Sequence, residues 1–116
     1  MNLEDNLQIQ VINYLRYQYG KAFFTHHPSG GKRDIREAAK FKRMGVLAGV
    51  PDILIFNKNY SFDGLAIELK IKPNKPTKNQ LEVMDRFRNV GFDVHVCYDF
   101  DSCKKIIDNY FKTVVF

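Results

Sequence analysis

Asp52, Glu68 and Lys70 stand where charge is costly. Asp52 opens the apolar run Ile53-Leu54-Ile55-Phe56, and Glu68 and Lys70 interrupt a second run from Leu65 to Ile71; both are of strand length and bounded by turn formers. Alternation along a strand puts Glu68 and Lys70 on one face and Ile67, Leu69 and Ile71 on the other. With the first run laid beside the second, Asp52 comes to the strand mouth near Glu68. Two carboxylates so placed repel unless a proton or a cation sits between them. Magnesium suits such a pair, since it takes hard oxygen ligands from one or two carboxylates and completes its shell with water and phosphate. Lys70 does not ligate metal. Its ammonium would stabilise an attacking hydroxide or the charge growing on a phosphate, which is the chemistry of phosphodiester hydrolysis. The simpler alternative is a glutamate and a lysine guarding a strand edge. Acids in both runs weigh against it.

The same residues carry a resemblance. Pro51-Asp52 followed by Glu68-x-Lys70 resembles the PD-(D/E)xK nuclease signature, and the ordered set Gly49-Val50-Pro51-Asp52, Ile67-Glu68-Leu69-Lys70 and Gln80 resembles the VRR-NUC family. Glu4-x-x-x-Gln8, the loop His27-Pro28-Ser29-Gly30-Gly31 and Gly91-Phe92 extend the likeness over most of the chain. The resemblance implies an endonuclease acting on DNA with Mg2+ or Mn2+, on a restriction-endonuclease-like α/β fold. It implies Asp52, Glu68, Lys70, Gln80 and Glu4 as catalytic residues, with the metal on Asp52, Glu68 and the Leu69 carbonyl and with Gln8 steadying the site. Small stand-alone members are similar to Holliday-junction resolvases and work as homodimers. That implies branched DNA, an intracellular place in the cytoplasm or at the nucleoid, and a part in DNA repair and recombination.

At 116 residues the chain is expected to be one domain, 1–116, too short for a separate recognition module, so selectivity for DNA must come from the nuclease fold itself. A hydrophobic fraction of 45% excludes a disordered chain. No apolar stretch approaches the roughly 18 residues of a membrane span, and the acidic start Met1-Asn2-Leu3-Glu4-Asp5 does not read as a signal peptide. Cys97 and Cys103 lack metal-ligand spacing and read as core thiols of a reducing compartment. The net charge of +5 suits a polyanion. Lys32, Arg33, Arg36, Lys40, Lys42 and Arg43 form one basic cluster and Lys70, Lys72, Lys75 and Lys78 another, flanking the acids in sequence; solvated surface is the alternative to a DNA-binding role.

The elements that must position these residues follow from periodicity. A helix is expected from Glu4 to about Tyr19, with Glu4 and Gln8 on one face. As alternatives to their implied roles, Glu4 would be a first-turn acid facing the helix dipole and Gln8 a surface residue. Ala22 to Thr25 reads as a short strand, and His26 and His27 as poor joint chelators. His27, beside the glycines, could donate to phosphate or have no role. Arg33 to Met44 reads as a weak helix, Asn57 to Gly64 as a hairpin between antiparallel central strands, and Phe92 to Tyr98 as a further strand in which His95 is a surface or subunit-contact residue.

Thr77 opens a helix with Leu81, Met84, Phe87 and Val90 as its apolar stripe, and Asp99 or Asp101 caps a last helix through Ile106, Ile107, Tyr110 and Phe111. Gln80 has two competing roles, partner of Thr77 in a capping box or active-site residue, compatible only if its amide faces the site. Val114-Val115-Phe116 requires cover, from its own core or from a second subunit. The expected fold is α/β, a central mixed sheet flanked by helices. A nuclease acting on flaps, nicks or ends, and a non-cleaving DNA-binding protein on the same fold, are the alternatives to a junction resolvase.

Overall fold

The structure, a computed structural model, describes residues 1–28 and 34–116. Within them the elements run α1 (Leu3–Gln18), β1 (Phe24–His26), α2 (Ile35–Arg43), β2 (Ile53–Ile55), β3 (Gly64–Leu69), α3 (Lys78–Asn89), β4 (Phe92–Cys97) and α4 (Phe100–Phe111). The strands form one mixed sheet in the order β1-β2-β3-β4, with β1 and β3 antiparallel to β2, and β4 parallel to β3. A hairpin joins β2 to β3, whereas the parallel step from β3 to β4 is made by the crossover helix α3.

Helix starts are set locally. Asn2, Asp34, Thr77 and Asp99 each accept the backbone N–H three residues on with their side chains, a cap that contributes about 1 kcal/mol. Strand alternation then sorts the sheet into two cores. Ile53, Ile55, Leu65, Ile67 and Leu69 face α1 and α4, where they meet Leu7, Val11, Leu15, Ile107 and Phe111. Leu54, Ala66 and Val94 face α3 and pack on Val83 and Met84. β3 is buried along its whole length, as befits a strand with helices on both faces.

Cys97 and Cys103 are free thiols buried in the larger core. Where α1 meets α4, Asp108 accepts hydrogen bonds from the Tyr14 and Tyr19 hydroxyls and, at 3.0 Å, from Lys104. Phe116 stacks on Phe111 with ring centroids 5.8 Å apart, so the chain's own core covers part of the apolar end. Among the described residues no helix is long and apolar enough to cross a membrane.

Three expectations are corrected. The strand expected at Ala22 to Thr25 starts two residues later and ends one later, at Phe24–His26, and α2 starts at Ile35. The apolar stripe of α3 is not Leu81, Met84, Phe87 and Val90, because Leu81 is 50% and Val90 66% exposed. At about 100° per residue those two fall on opposite sides of the helix. The inward face is Gln80, Val83, Met84 and Phe87, whose i, i+3, i+4, i+7 spacing matches a helix turned toward a sheet.

Candidate active site

The sheet register brings the two acids together. Ile53 pairs with Ile67 and Leu54 with Ala66. Continuing that antiparallel register by one residue sets Asp52 opposite Glu68, a relationship in which Cβ atoms lie about 4.5–5.5 Å apart. By alternation with Leu54 and Ala66, both acids belong to the α3 face. Asp52 is 9% and Glu68 1% exposed, so both carboxyls are withdrawn from bulk water. Burial of this kind requires compensation.

Asp52 is compensated by backbone. Its Oδ2 accepts the Leu69 N–H at 2.7 Å. Its own carbonyl accepts the His27 N–H at 2.8 Å and lies 2.8 Å from His26 Nδ1. Upstream, Pro51 is buried, Gly49 adopts φ +86°, and Asn79 of α3 donates from Nδ2 to the Ala48 carbonyl at 3.1 Å. The segment that delivers Asp52 is thus held from β1, β3 and α3.

Glu68 is compensated less completely. Its Oε2 lies 3.6 Å from Lys70 Nζ and 3.5 Å from Gln80 Nε2, both at the outer limit of a strong contact. Its Oε1 is buried and has no hydrogen-bond partner among the described residues. Burial, reinforced by the Asp52 charge, pushes the Glu68 carboxyl up to about 8; the Lys70 charge opposes this without cancelling it. Glu4 of α1 is also raised, first by burial and then by the Asp52 charge, which places it in the same electrostatic neighbourhood.

Gln80 closes the capping box and also reaches Glu68. Its Oε1 accepts the Thr77 N–H at 2.9 Å while Thr77 Oγ1 accepts the Gln80 N–H at 3.1 Å, closing the capping box; its Nε2 is left to reach Glu68. The amide can do this because Gln80 lies on the helix face turned to the sheet. Gln8 Nε2 and His27 Nδ1 are buried without partners among the described residues.

A divalent ion fits these donors. Among the described residues no group of three His, Cys, Asp or Glu side chains is placed to hold a metal by itself. Two carboxylates supplemented by a carbonyl, water and phosphate are nonetheless the usual provision for Mg2+, as in a set formed by Asp52, Glu68 and the Leu69 carbonyl. The unpartnered Glu68 Oε1 and the raised Glu68 pKa are what a cation would relieve.

The basic residues are mostly at the surface. No residue of α2 is buried, and Arg36, Lys40, Lys42 and Arg43 are all exposed. Lys42 and Ala38 line a groove of about 710 Å³, together with His27 and Asn79, the neighbours of Asp52 and Gln80 already described. Lys75 and Lys78 are exposed, and Lys72 Nζ sits 5.8 Å from the centre of the Tyr98 ring. Lys32 and Arg33, with Ser29, Gly30 and Gly31, lie outside the described residues. His95 pairs with Asp93 at 2.9 Å and alternates with Val94, so it belongs to the face opposite the acids. Sequence reasoning passed over the grip of His26 and Asn79 on this segment. Neither has a local signal, because each acts on a backbone carbonyl far along the chain.

The mixed sheet, its flanking helices and the acid pair on adjacent central strands define a nuclease domain of the restriction-endonuclease-like class. The family model for the VRR-NUC domain matches residues 4–100, and the chain belongs to that nuclease family. A solved structure described as a "VRR_NUC domain protein" is similar at 32% identity, with a TM-score of 0.84 over 100% of this chain and 93% of its own. A second, described as "VRR_NUC domain", shares the fold at 22% identity, with a TM-score of 0.54 over 87% of this chain and 94% of its own. Among curated proteins no match is found.

Proposed function

We propose that this protein is a Mg2+- or Mn2+-dependent DNA endonuclease of the Holliday-junction-resolvase type, working inside the cell as a homodimer on branched DNA. The observation that carries the reading is the buried acid pair with an unpartnered Glu68 oxygen and a lysine 3.6 Å from its other oxygen. When bound, the ion neutralises phosphate charge and acidifies a water near neutral pH.

The chain's own residues supply the rest. The Leu69 N–H fixes the Asp52 carboxylate, and the Gln80 amide sets the rotation of Glu68. Lys70 Nζ, 13% exposed and next to Glu68, offers a positive charge to the phosphate oxygens as negative charge accumulates there. Glu4 assists from α1. Arg36, Lys40, Lys42 and Arg43 on one side and Lys72, Lys75 and Lys78 on the other hold the phosphate backbone without reading bases, and Lys32 and Arg33 extend the first cluster in sequence.

A second subunit would present a second centre to the opposing strand of a junction. The edge strand β1 and the unburied α2 offer it a surface, with Phe23 68% and Ile35 89% exposed.

The test is incubation with four-way junction, flap and linear duplex DNA, with and without Mg2+ or Mn2+. Paired symmetric nicks on the junction that need the ion are expected. Asp52→Asn and Lys70→Ala should each lose cleavage while still binding the junction. Preference for flaps would replace the resolvase by a flap nuclease, and full cleavage by both variants would remove the active-site assignment.

A further inference from the structure

We infer that Asn79 is a positioning residue for Asp52, a role that rests on the metal-dependent nuclease reading above. The observation is a lock between two segments that are distant in sequence. Asn79 Nδ2 donates to the Ala48 carbonyl at 3.1 Å. A Cβ on Gly49 would lie 2.6 Å from that same nitrogen and 3.3 Å from the Asn79 main-chain oxygen. Gly49 also holds φ +86°, a conformation that side chains disfavour. The approach of loop to helix therefore requires both residues: a glycine to leave the space and an asparagine to fill it with a donor.

The consequence lies three residues downstream of Gly49. Val50 and Pro51 are buried, so displacement at 48–49 is carried stiffly into Asp52. Asp52 Oδ2 in turn holds the Leu69 N–H. The neighbour of Asn79 is Gln80, which contacts Glu68. One turn of α3, itself fixed by the Thr77 capping box, thus governs both acids, Glu68 by direct contact and Asp52 through the loop. Asn79 touches neither substrate nor carboxylate; it acts through Ala48 and Gly49.

The Leu69 amide gives a readout that needs neither metal nor DNA. Hydrogen exchange at Leu69 would be followed by NMR in the metal-free wild type, Asn79→Ala and Glu82→Ala, the last an exposed control on the same helix. Loss of one such hydrogen bond should speed Leu69 exchange in Asn79→Ala by about three- to tenfold relative to Ile67, and weaken Mn2+ binding by a similar factor. Glu82→Ala should match wild type in both. Gly49→Ala approaches the same lock from the loop side and should repeat the Leu69 effect.

Leu69 exchange unchanged in Asn79→Ala, or accelerated equally at Ile67, would overturn the positioning role. A wild type that binds no Mn2+ would instead defeat the nuclease reading, while the exchange measurement would still decide whether Asn79 holds Asp52.

Discussion

The side-chain amide of Gln80 spans from the Thr77 N–H, 2.9 Å from its oxygen, to Glu68 Oε2, 3.5 Å from its nitrogen. Helix cap and acid contact are made by opposite ends of one group. Gln80→Ala should therefore lower the unfolding free energy by about 1 kcal/mol, through loss of the Gln80 half of the capping box, and also reduce cleavage. Gln80→Glu separates the two effects. It retains an acceptor for the Thr77 N–H but sets a carboxylate beside Glu68 in place of a donor. Near-native thermal stability with impaired cleavage is expected, and wild-type turnover in both variants would show that the Glu68 contact has no part in the reaction.

Glu68 makes metal binding pH-dependent. In the folded, metal-free protein its carboxyl keeps a proton up to about pH 8, through burial and the Asp52 charge, whereas the ordinary value is 4.5. Between those values the folded state binds more protons than the unfolded chain. The contribution of Glu68 to metal-free stability is thus fully present below the ordinary carboxylate range and declines as pH rises toward 8. A cation competes with that proton, so Mn2+ should bind more tightly, and raise the melting temperature more, at about pH 8 than at about pH 6. Calorimetric titration at both values checks this. Glu68→Gln should flatten the dependence, and an equally flat wild-type response would contradict the coupling.

Arg36, Lys40 and Arg43 share one face of α2 at i, i+4, i+7, with no residue of that helix buried. Replacing all three by alanine should weaken binding of all duplex sequences alike. The slope of log affinity against log salt should fall by roughly 3, near 0.9 for each phosphate that is no longer neutralised. Binding isotherms across a salt series measure it. An unaltered slope would place the phosphate track elsewhere.

Asp108 ties α1 to α4 by accepting from Tyr14, Tyr19 and Lys104, on the side of the sheet away from the acids. Asp108→Ala should cost about 1.5–3 kcal/mol of folding stability, because two partly buried hydroxyls lose a charged acceptor. Denaturant titration gives this value. Mn2+ affinity should stay at the wild-type level; a large fall would mean that the packing of α1, which carries Glu4, controls the site more than the sheet does.

By itself the sequence determined what depends on near neighbours. The cap at Thr77 is a bond across three residues, as is the one at Asp99, which the sequence narrowed to Asp99 or Asp101, and the helix and strand order follows from periodicities read within one turn or one pleat. The charges at Asp52, Glu68 and Lys70 marked the site because each disturbs or borders an apolar run, which any local window reveals. Only the tertiary structure decided which face of α3 turns inward, because Leu81 and Val90 are as apolar as Val83 and the sheet alone selects among them. It also decided that Asp52 stands opposite Glu68, a register set by the packing of Ile53 and Ile67 against α1 and α4, and that His26 and Asn79 grip the approach to Asp52. Those contacts join residues 26 and 31 positions apart, and the chain brings them together only when both cores close on the sheet.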